Sequence, residues 1–166
     1  MPELTKPVSG AHTTDGVPHG RTSLTPHIVV ERASAALEFY RDVLGARIAD
    51  VTRFGDAVAH AELEFPHGWL TLSDAIEGYG LVAPGGGDAA SYSLALYVAD
   101  VDDVVRRAAA AGATVREPAS TFVSGDRFAS ILDPFGVRWS LLTRVEDLSP
   151  EESKRRVAEW AAAQGA

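Results

Sequence analysis

An α+β fold built from two successive βαβββ modules is what this sequence predicts, and three observations carry it. β-branched runs and helical apolar spacing recur twice in the same order, and turn compositions divide the extended segments that follow each helix. In addition, Leu44-Gly45-Ala46-Arg47-Ile48 superposes on Ala111-Gly112-Ala113-Thr114-Val115, and each glycine lets a helix end in a left-handed residue before the next strand begins.

Residues 1–22 mix Pro, Gly, Thr and His without apolar period, so they are expected to form a disordered, mobile tail. His12 and His19 lie there with no third ligand at a fixed spacing. The domain proper is placed at 23–145. Module one, 25–76, opens with the strand Pro26-His27-Ile28-Val29-Val30. A helix over 34–44 follows, with Ala36, Leu37, Tyr40, Val43 and Leu44 at helical spacing. Strands are expected over 46–54, 58–65 and 68–74, separated by Gly55-Asp56 and Pro66-His67-Gly68.

The linker, 77–91, contains Pro84-Gly85-Gly86-Gly87. Module two, 92–144, repeats the plan with a strand over 92–98 and a helix capped by Asp100, whose apolar side is Val101, Val104, Val105, Ala108 and Ala111. Strands over 113–117, 127–132 and 138–143 complete it. Over 146–166, Ser149-Pro150-Glu151-Glu152 is a capping box opening a last helix. Val157, Trp160 and Ala161 share one face of it, with Glu151–Arg155 and Glu152–Arg156 pairs on the other, so it reads as a surface clasp.

Composition narrows the partners. With 166 residues, 46% of them apolar, the chain suits one domain with a sizeable core, and no apolar run approaches the roughly 18 residues that span a bilayer. The first residues carry neither a basic patch nor a hydrophobic stretch of signal type, so a cytoplasmic protein without membrane contact is expected. The absence of cysteine removes disulfides and thiolate chemistry. Against 15 basic residues stand 23 acidic ones, a net charge of -8 that repels phosphate backbones, so nucleic acid is not an expected partner. The same charge reads either as solubility or as attraction for a cationic ligand.

Alternation sorts the strand faces. Ala61, Leu63 and Phe65 point to the helix, and His60, Glu62 and Glu64 point away. Leu70 and Leu72 face inward, opposite Trp69, Thr71 and Ser73. In module two, Ser93, Ala95 and Tyr97 share one side, as do Arg138, Ser140 and Leu142. A face that keeps aromatic and hydrogen-bonding groups away from the helices is either solvated or wraps a ligand.

Four stretches carry a family resemblance: His27-Ile28-Val29-Val30, Leu37-Glu38-Phe39-Tyr40-Arg41-Asp42-Val43-Leu44-Gly45, Tyr97-Val98-Ala99-Asp100-Val101-Asp102 and Asp133-Pro134-Phe135-Gly136-Val137-Arg138-Trp139. In this order they resemble the signature stretches of the vicinal oxygen chelate superfamily, which includes glyoxalases, bleomycin-resistance proteins and extradiol dioxygenases. His60-Ala61-Glu62-Leu63, Leu72-Ser73-Asp74 and Gly125-Asp126-Arg127 look like its PhnB-like branch. The resemblance implies a curved mixed sheet forming a cup, a homodimer, and, in enzyme members, one metal ion on the cup floor that polarises vicinal oxygens of the substrate. The methyltransferase label some relatives carry finds no nucleotide-binding turn in this sequence.

The metal-ligand positions implied by the resemblance fall at His27, Thr71, Ser93 and Ser140. Only His27 is a ligand for a transition metal, so no cofactor is expected at the usual site. A non-standard divalent site for Zn, Ni, Fe or Mn is open through His27, His60 and Glu62, the last two sharing a strand face about 6.5 to 7 Å apart. Without metal, His60 is the candidate general base and Glu62 the group that orients it. Candidate ligand-binding residues are His27, Trp69, Thr71, Ser93, Tyr97, Arg127, Trp139 and Ser140; Asp126 and Arg127 read as an anion fork or as a turn brace. The reading that follows is a small-molecule binder of resistance or sequestration type. The alternatives are a metal-dependent glyoxalase-type lyase or isomerase using His27, His60 and Glu62, and a ligand-free relic.

Overall fold

The two sequence periods resolve into two copies of one arrangement in the computed structural model, which describes residues 6–76, 78–87 and 89–165. Module one comprises β3 (His27–Val30), α1 (Ala33–Asp42), β4 (Arg47–Phe54), β5 (Ala57–Phe65) and β6 (Gly68–Asp74). Module two comprises β7 (Leu94–Tyr97), α2 (Val101–Ala110), β8 (Thr114–Thr121), β9 (Asp126–Leu132) and β10 (Arg138–Arg144). An N-terminal hairpin, β1 (Thr13–Thr14) and β2 (Val17–Pro18), precedes them and α3 (Pro150–Gln164) follows. Each module folds into a four-stranded mixed sheet, ordered β3-β6-β5-β4 and β7-β10-β9-β8. In both, the first strand runs parallel to the last and every other pair is antiparallel. One outermost strand of each sheet is irregular: register shifts interrupt β4 at Ile48/Asp50 and Thr52/Arg53, and β8 at Val115/Glu117 and Glu117/Ser120, where Pro118 lies. The opposite edges, β3 and β7, pair in unbroken register.

The helix ends show why the repeat is visible in sequence. Gly45 and Gly112 have φ of 78° and 94°, the left-handed conformation a glycine adopts without a Cβ clash. At the helix starts the two modules diverge. The Asp100 carboxylate accepts from the Asp103 amide at 3.0 Å, as expected. Helix α1 has no local cap; Asp74, at the end of β6, accepts from the Ala33 and Val58 amides at 2.8 Å each and ties helix to sheet. For α3 the capping box forms, with Ser149 accepting from the Glu152 amide. Arg155 pairs with Glu152 and Glu159 rather than the expected Glu151. Trp160 meets Phe122 edge-on at 4.9 Å, fastening α3 to the β8–β9 turn.

One hydrophobic core spans both modules, with Tyr40, Leu63, Leu72, Ile131 and Leu141 fully enclosed. At its centre Asp133, buried in the β9–β10 turn, accepts from the Tyr40 hydroxyl at 2.8 Å, the Trp139 indole N–H at 2.9 Å, and the Phe135 and Val137 amides at 2.9 Å. Burial pushes the Asp133 carboxyl up while these donors pull it back. Burial beside that carboxylate also raises the Tyr40 hydroxyl well above its ordinary value, so tyrosine remains the donor. A second tie crosses the boundary: the Arg107 guanidinium donates to the carbonyls of Asp42 and Val43, at the dipole-negative end of α1.

The segment that composition reads as a mobile tail carries a short hairpin where it is described. Asp15 and Gly16, with φ of 47° and 81°, close a two-residue turn between Thr14 and Val17. An Asp-Gly pair is a strong signal for that turn geometry, and it outweighs the low apolar content. Residues 1–5 of the same segment lie outside the described residues.

Replacing Asp133 with Ala strands two buried side-chain donors and two amides, so chemical denaturation should show a loss of about 3 kcal/mol or more. Tyr40→Phe, which keeps the ring packing and removes one donor, should cost about 1 kcal/mol. Equal losses for the two variants would rule out Asp133 as the hub.

Candidate functional site

The open face of sheet one is assembled by strand register. β3 pairs with β6 so that His27 stands beside Thr71, and β6 pairs with β5 so that Thr71 stands beside Glu62 and Trp69 beside Glu64. His27 Nδ1 lies 2.8 Å from the Thr71 hydroxyl, and Nε2 lies 3.3 Å from the Ser73 hydroxyl. A neutral imidazole has one donor and one acceptor nitrogen, and two hydroxyls satisfy either tautomer. Burial, followed by the neighbouring His60, lowers the His27 pKa from its ordinary 6.5 and favours that neutral form. The His27 and His60 rings stack with centroids 6.0 Å apart and planes 2° from parallel. They border a hollow of about 240 Å³ with Thr52, Phe54, Tyr79 and Leu81.

Glu62 is held by a residue from the supposed tail. The Arg21 guanidinium pairs with its carboxylate and lies over the Trp69 ring, 3.7 Å from the centroid, while the Trp69 indole N–H donates to the Gly20 carbonyl at 2.7 Å. The hydrogen bond from Arg21 holds the Glu62 carboxyl below its ordinary 4.5. His60 Nε2 stands 3.8 Å from the other Glu62 oxygen, beyond hydrogen-bond reach. The expected base and orienting pair of His60 and Glu62 is therefore not formed in this arrangement, because Arg21 has taken the carboxylate.

The residues do not fit a divalent metal either. The His27 and His60 rings lie parallel with centroids 6.0 Å apart. Both nitrogens of His27 are also engaged, and Glu62 is neutralised by Arg21. Among the described residues no group of three His, Cys, Asp or Glu side chains converges as a metal site.

In sheet two the matching positions are Ser93 and Ser140, whose hydroxyls lie 2.9 Å apart. Beside them Tyr97, 59% exposed, directs its hydroxyl toward Asp126 at 3.4 Å. A cleft of about 540 Å³ runs between the modules, walled by Phe65 and Trp69 from one and Leu94, Leu96 and Tyr97 from the other. Trp69, Ser93 and Tyr97 thus meet at one opening. A second hollow, about 500 Å³, lies under the linker and includes His27 and Arg138.

Two sequence candidates fall elsewhere. Trp139 is only 2% exposed, touches the cleft from beneath, packs on Tyr40 and commits its N–H to Asp133, so it is a core residue and not a stacking platform. Arg127 occupies a position on the helix side of β9, where its guanidinium forks onto Asp102 at 2.5 and 2.7 Å. Asp126 receives Arg144 at 2.9 Å and the Ser124 hydroxyl at 3.0 Å. Of the two readings of Asp126 and Arg127, bracing is the one the geometry carries. Arg21, Leu94 and Leu96 escaped the sequence reading, and Phe65, read as pointing to the helix, also lines the cleft. Arg21 has no periodic signal, and its one pointer was an unmatched Glu62 on an open face.

This geometry can be set beside known proteins. Residues 16–141 match the Glyoxalase/Bleomycin resistance protein/Dioxygenase superfamily. The chain belongs to that superfamily. It is 31% identical over 134 residues to the uncharacterized protein Mb0911c of Mycobacterium bovis, covering 78% of this chain and 88% of the relative. Superfamily folds recur among solved structures. Protein PA1353 from Pseudomonas aeruginosa superposes with a TM-score of 0.60 at 23% identity, over 74% of this chain and 98% of that one. A PhnB protein from Bacillus cereus, described as a 3-demethylubiquinone-9 3-methyltransferase, superposes at 0.56 and 18%, over 74% and 99%. FosX of Listeria monocytogenes, a fosfomycin resistance protein solved with Mn(II) and sulfate, gives 0.61 and 12%, over 82% and 97%. At these identities the likeness is one of fold. Among the described residues no helix of this superfamily member is long and apolar enough to cross a membrane.

The titrating groups predict two separate pH windows. His27 has a lowered folded pKa, so its contribution to stability is complete above pH 6.5 and is lost as pH falls through the folded value. Glu62 is also lowered, so its contribution is present above 4.5 and lost at lower pH. Melting temperature against pH should lose the upper step in His27→Gln and the lower one in Arg21→Ala; an unchanged profile in either variant would contradict its assignment.

Proposed function

We propose that this superfamily member binds a small organic molecule in the cleft between its modules, without a metal ion, and acts by sequestration, as in resistance. One observation carries the reading: the cleft of about 540 Å³ is faced by aromatic and aliphatic groups from both modules, while the superfamily's ligand positions Thr71, Ser93 and Ser140 hold hydroxyls paired within the protein. That volume suits a drug-sized ligand, since such sites typically span about 300 to 1,000 Å³ with a few polar groups fixing orientation. Trp69 and Tyr97 supply π faces at the two walls. Those π faces suit a planar compound, and the net charge of -8 favours a cationic one.

The reading is tested by a thermal-shift screen of planar aromatic and cationic compounds, alongside titration with Zn, Ni, Fe and Mn. Compounds filling the cleft should raise the melting temperature of the wild type, by about 2.7 kcal/mol of added stability at a hundredfold excess over Kd. The shift should disappear in Tyr97→Ala, a substitution at an exposed position. Stoichiometric metal that raises the melting temperature would sink the metal-free reading, and a screen without a hit dependent on Tyr97 would sink the cleft as the site.

A further inference from the structure

The N-terminal hairpin holds itself together and is tied to sheet one at few points. Among the described residues β1 pairs with β2 and bridges Gly10, and the segment's remaining backbone bonds, among them Gly16 to Val8 and His19 to His12, stay inside it. Residues 6–20 are exposed except Thr13 and Val17, which are half-buried. Such a segment opens at little cost, because it gives up almost no buried apolar surface. Its recorded side-chain ties to sheet one are all in one place: Gly20 receives the Trp69 indole N–H, and Arg21 stacks on Trp69 while pairing with Glu62.

That place has the makeup of a cation receptor. An indole is the best aromatic face for a cation, and a carboxylate at its border accepts the in-plane N–H groups of a guanidinium that stacks on the ring. In the structure one guanidinium nitrogen reaches Glu62 while the flat group lies on the indole, and an ammonium supplies the charge and a donor but no planar face to stack. Trp69 also forms a wall of the inter-module cleft, so one ring borders both the cleft and the Arg21 contact. We propose that the Trp69–Glu62 face is a binding site for a guanidinium-class cation and that Arg21 is its built-in occupant, which a cationic ligand displaces together with the N-terminal segment. This rests on the reading of the cleft as a ligand site and specifies the charged part of what enters it.

The test follows the Trp69 indole N–H by NMR while methylguanidinium, or methylammonium as the charge control, is titrated into the full chain. An occupant present nine-tenths of the time weakens apparent affinity roughly tenfold, so Arg21→Ala should move the midpoint to about one-tenth of the wild-type concentration. Arg21→Gln should behave likewise, guarding against a folding defect peculiar to alanine, and Trp69→Leu in the Arg21→Ala background should abolish the response in the melting temperature. Midpoints equal to wild type, no response in either Arg21 variant, or methylammonium acting as well as methylguanidinium would overturn the proposal. Tyr97→Ala separates the two readings: it removes binding of cleft compounds and leaves the methylguanidinium midpoint unchanged. A methylguanidinium failure alongside a Tyr97-dependent hit therefore counts against the occupant alone.

Discussion

Everything in this molecule depends on one buried carboxylate having enough donors. Asp133 sits where the two modules meet, and its acceptor capacity is filled by the Tyr40 hydroxyl from module one and by Trp139, Phe135 and Val137 from module two. An ionised group in such a place is costly unless nearly every lone pair is used. Because the donors come from both halves, the arrangement is satisfied only when the halves dock in one orientation. No backbone ladder joins the two sheets among the described residues, so side-chain contacts of this kind fix the cleft walls.

The chemistry of the open faces follows from that docking and from strand register. β3 beside β6 sets His27 against Thr71, and β7 beside β10 brings Ser93 and Ser140 into contact, so the two modules present equivalent pairs. Where the superfamily resemblance implies metal ligands, this chain closes small hydrogen-bonded pairs on itself. These hydroxyls have partners within the protein, and Tyr97 of module two stays exposed.

Legibility in the sequence tracked the range of the interaction. The ten strands and helices of the two modules were readable because period and turn chemistry are local: Gly45 and Gly112 mark helix ends, and Asp100 and Ser149 cap the helices that follow them. Alternation also separates several candidate residues from the core: Ala61, Leu63, Leu70 and Leu72 are buried, while His60, Glu62 and Trp69 between them are not. What alternation does not contain is the partner. Nothing near Arg21 announces Glu62 forty-one residues on, and nothing near Arg127 announces Asp102 on the helix. Trp139 was misplaced for a related reason: its strand face was open to either assignment until Tyr40 and Asp133 claimed it. The hairpin at 13–18 was legible in Asp15-Gly16 and was outweighed by composition.

The irregular outer strands bear on how copies of this chain can meet. A straight edge strand offers unpaired amides and carbonyls to any other strand and so invites open-ended polymerisation. Here β4 is broken twice in register and carries Arg47, Asp50 and Arg53, and β8 is broken twice and contains Pro118, which has no amide hydrogen to donate. Fibril-like growth from the β4 and β8 margins is thereby discouraged, which leaves the short opposite edges, β3 and β7, as the regular strand edges of the two sheets.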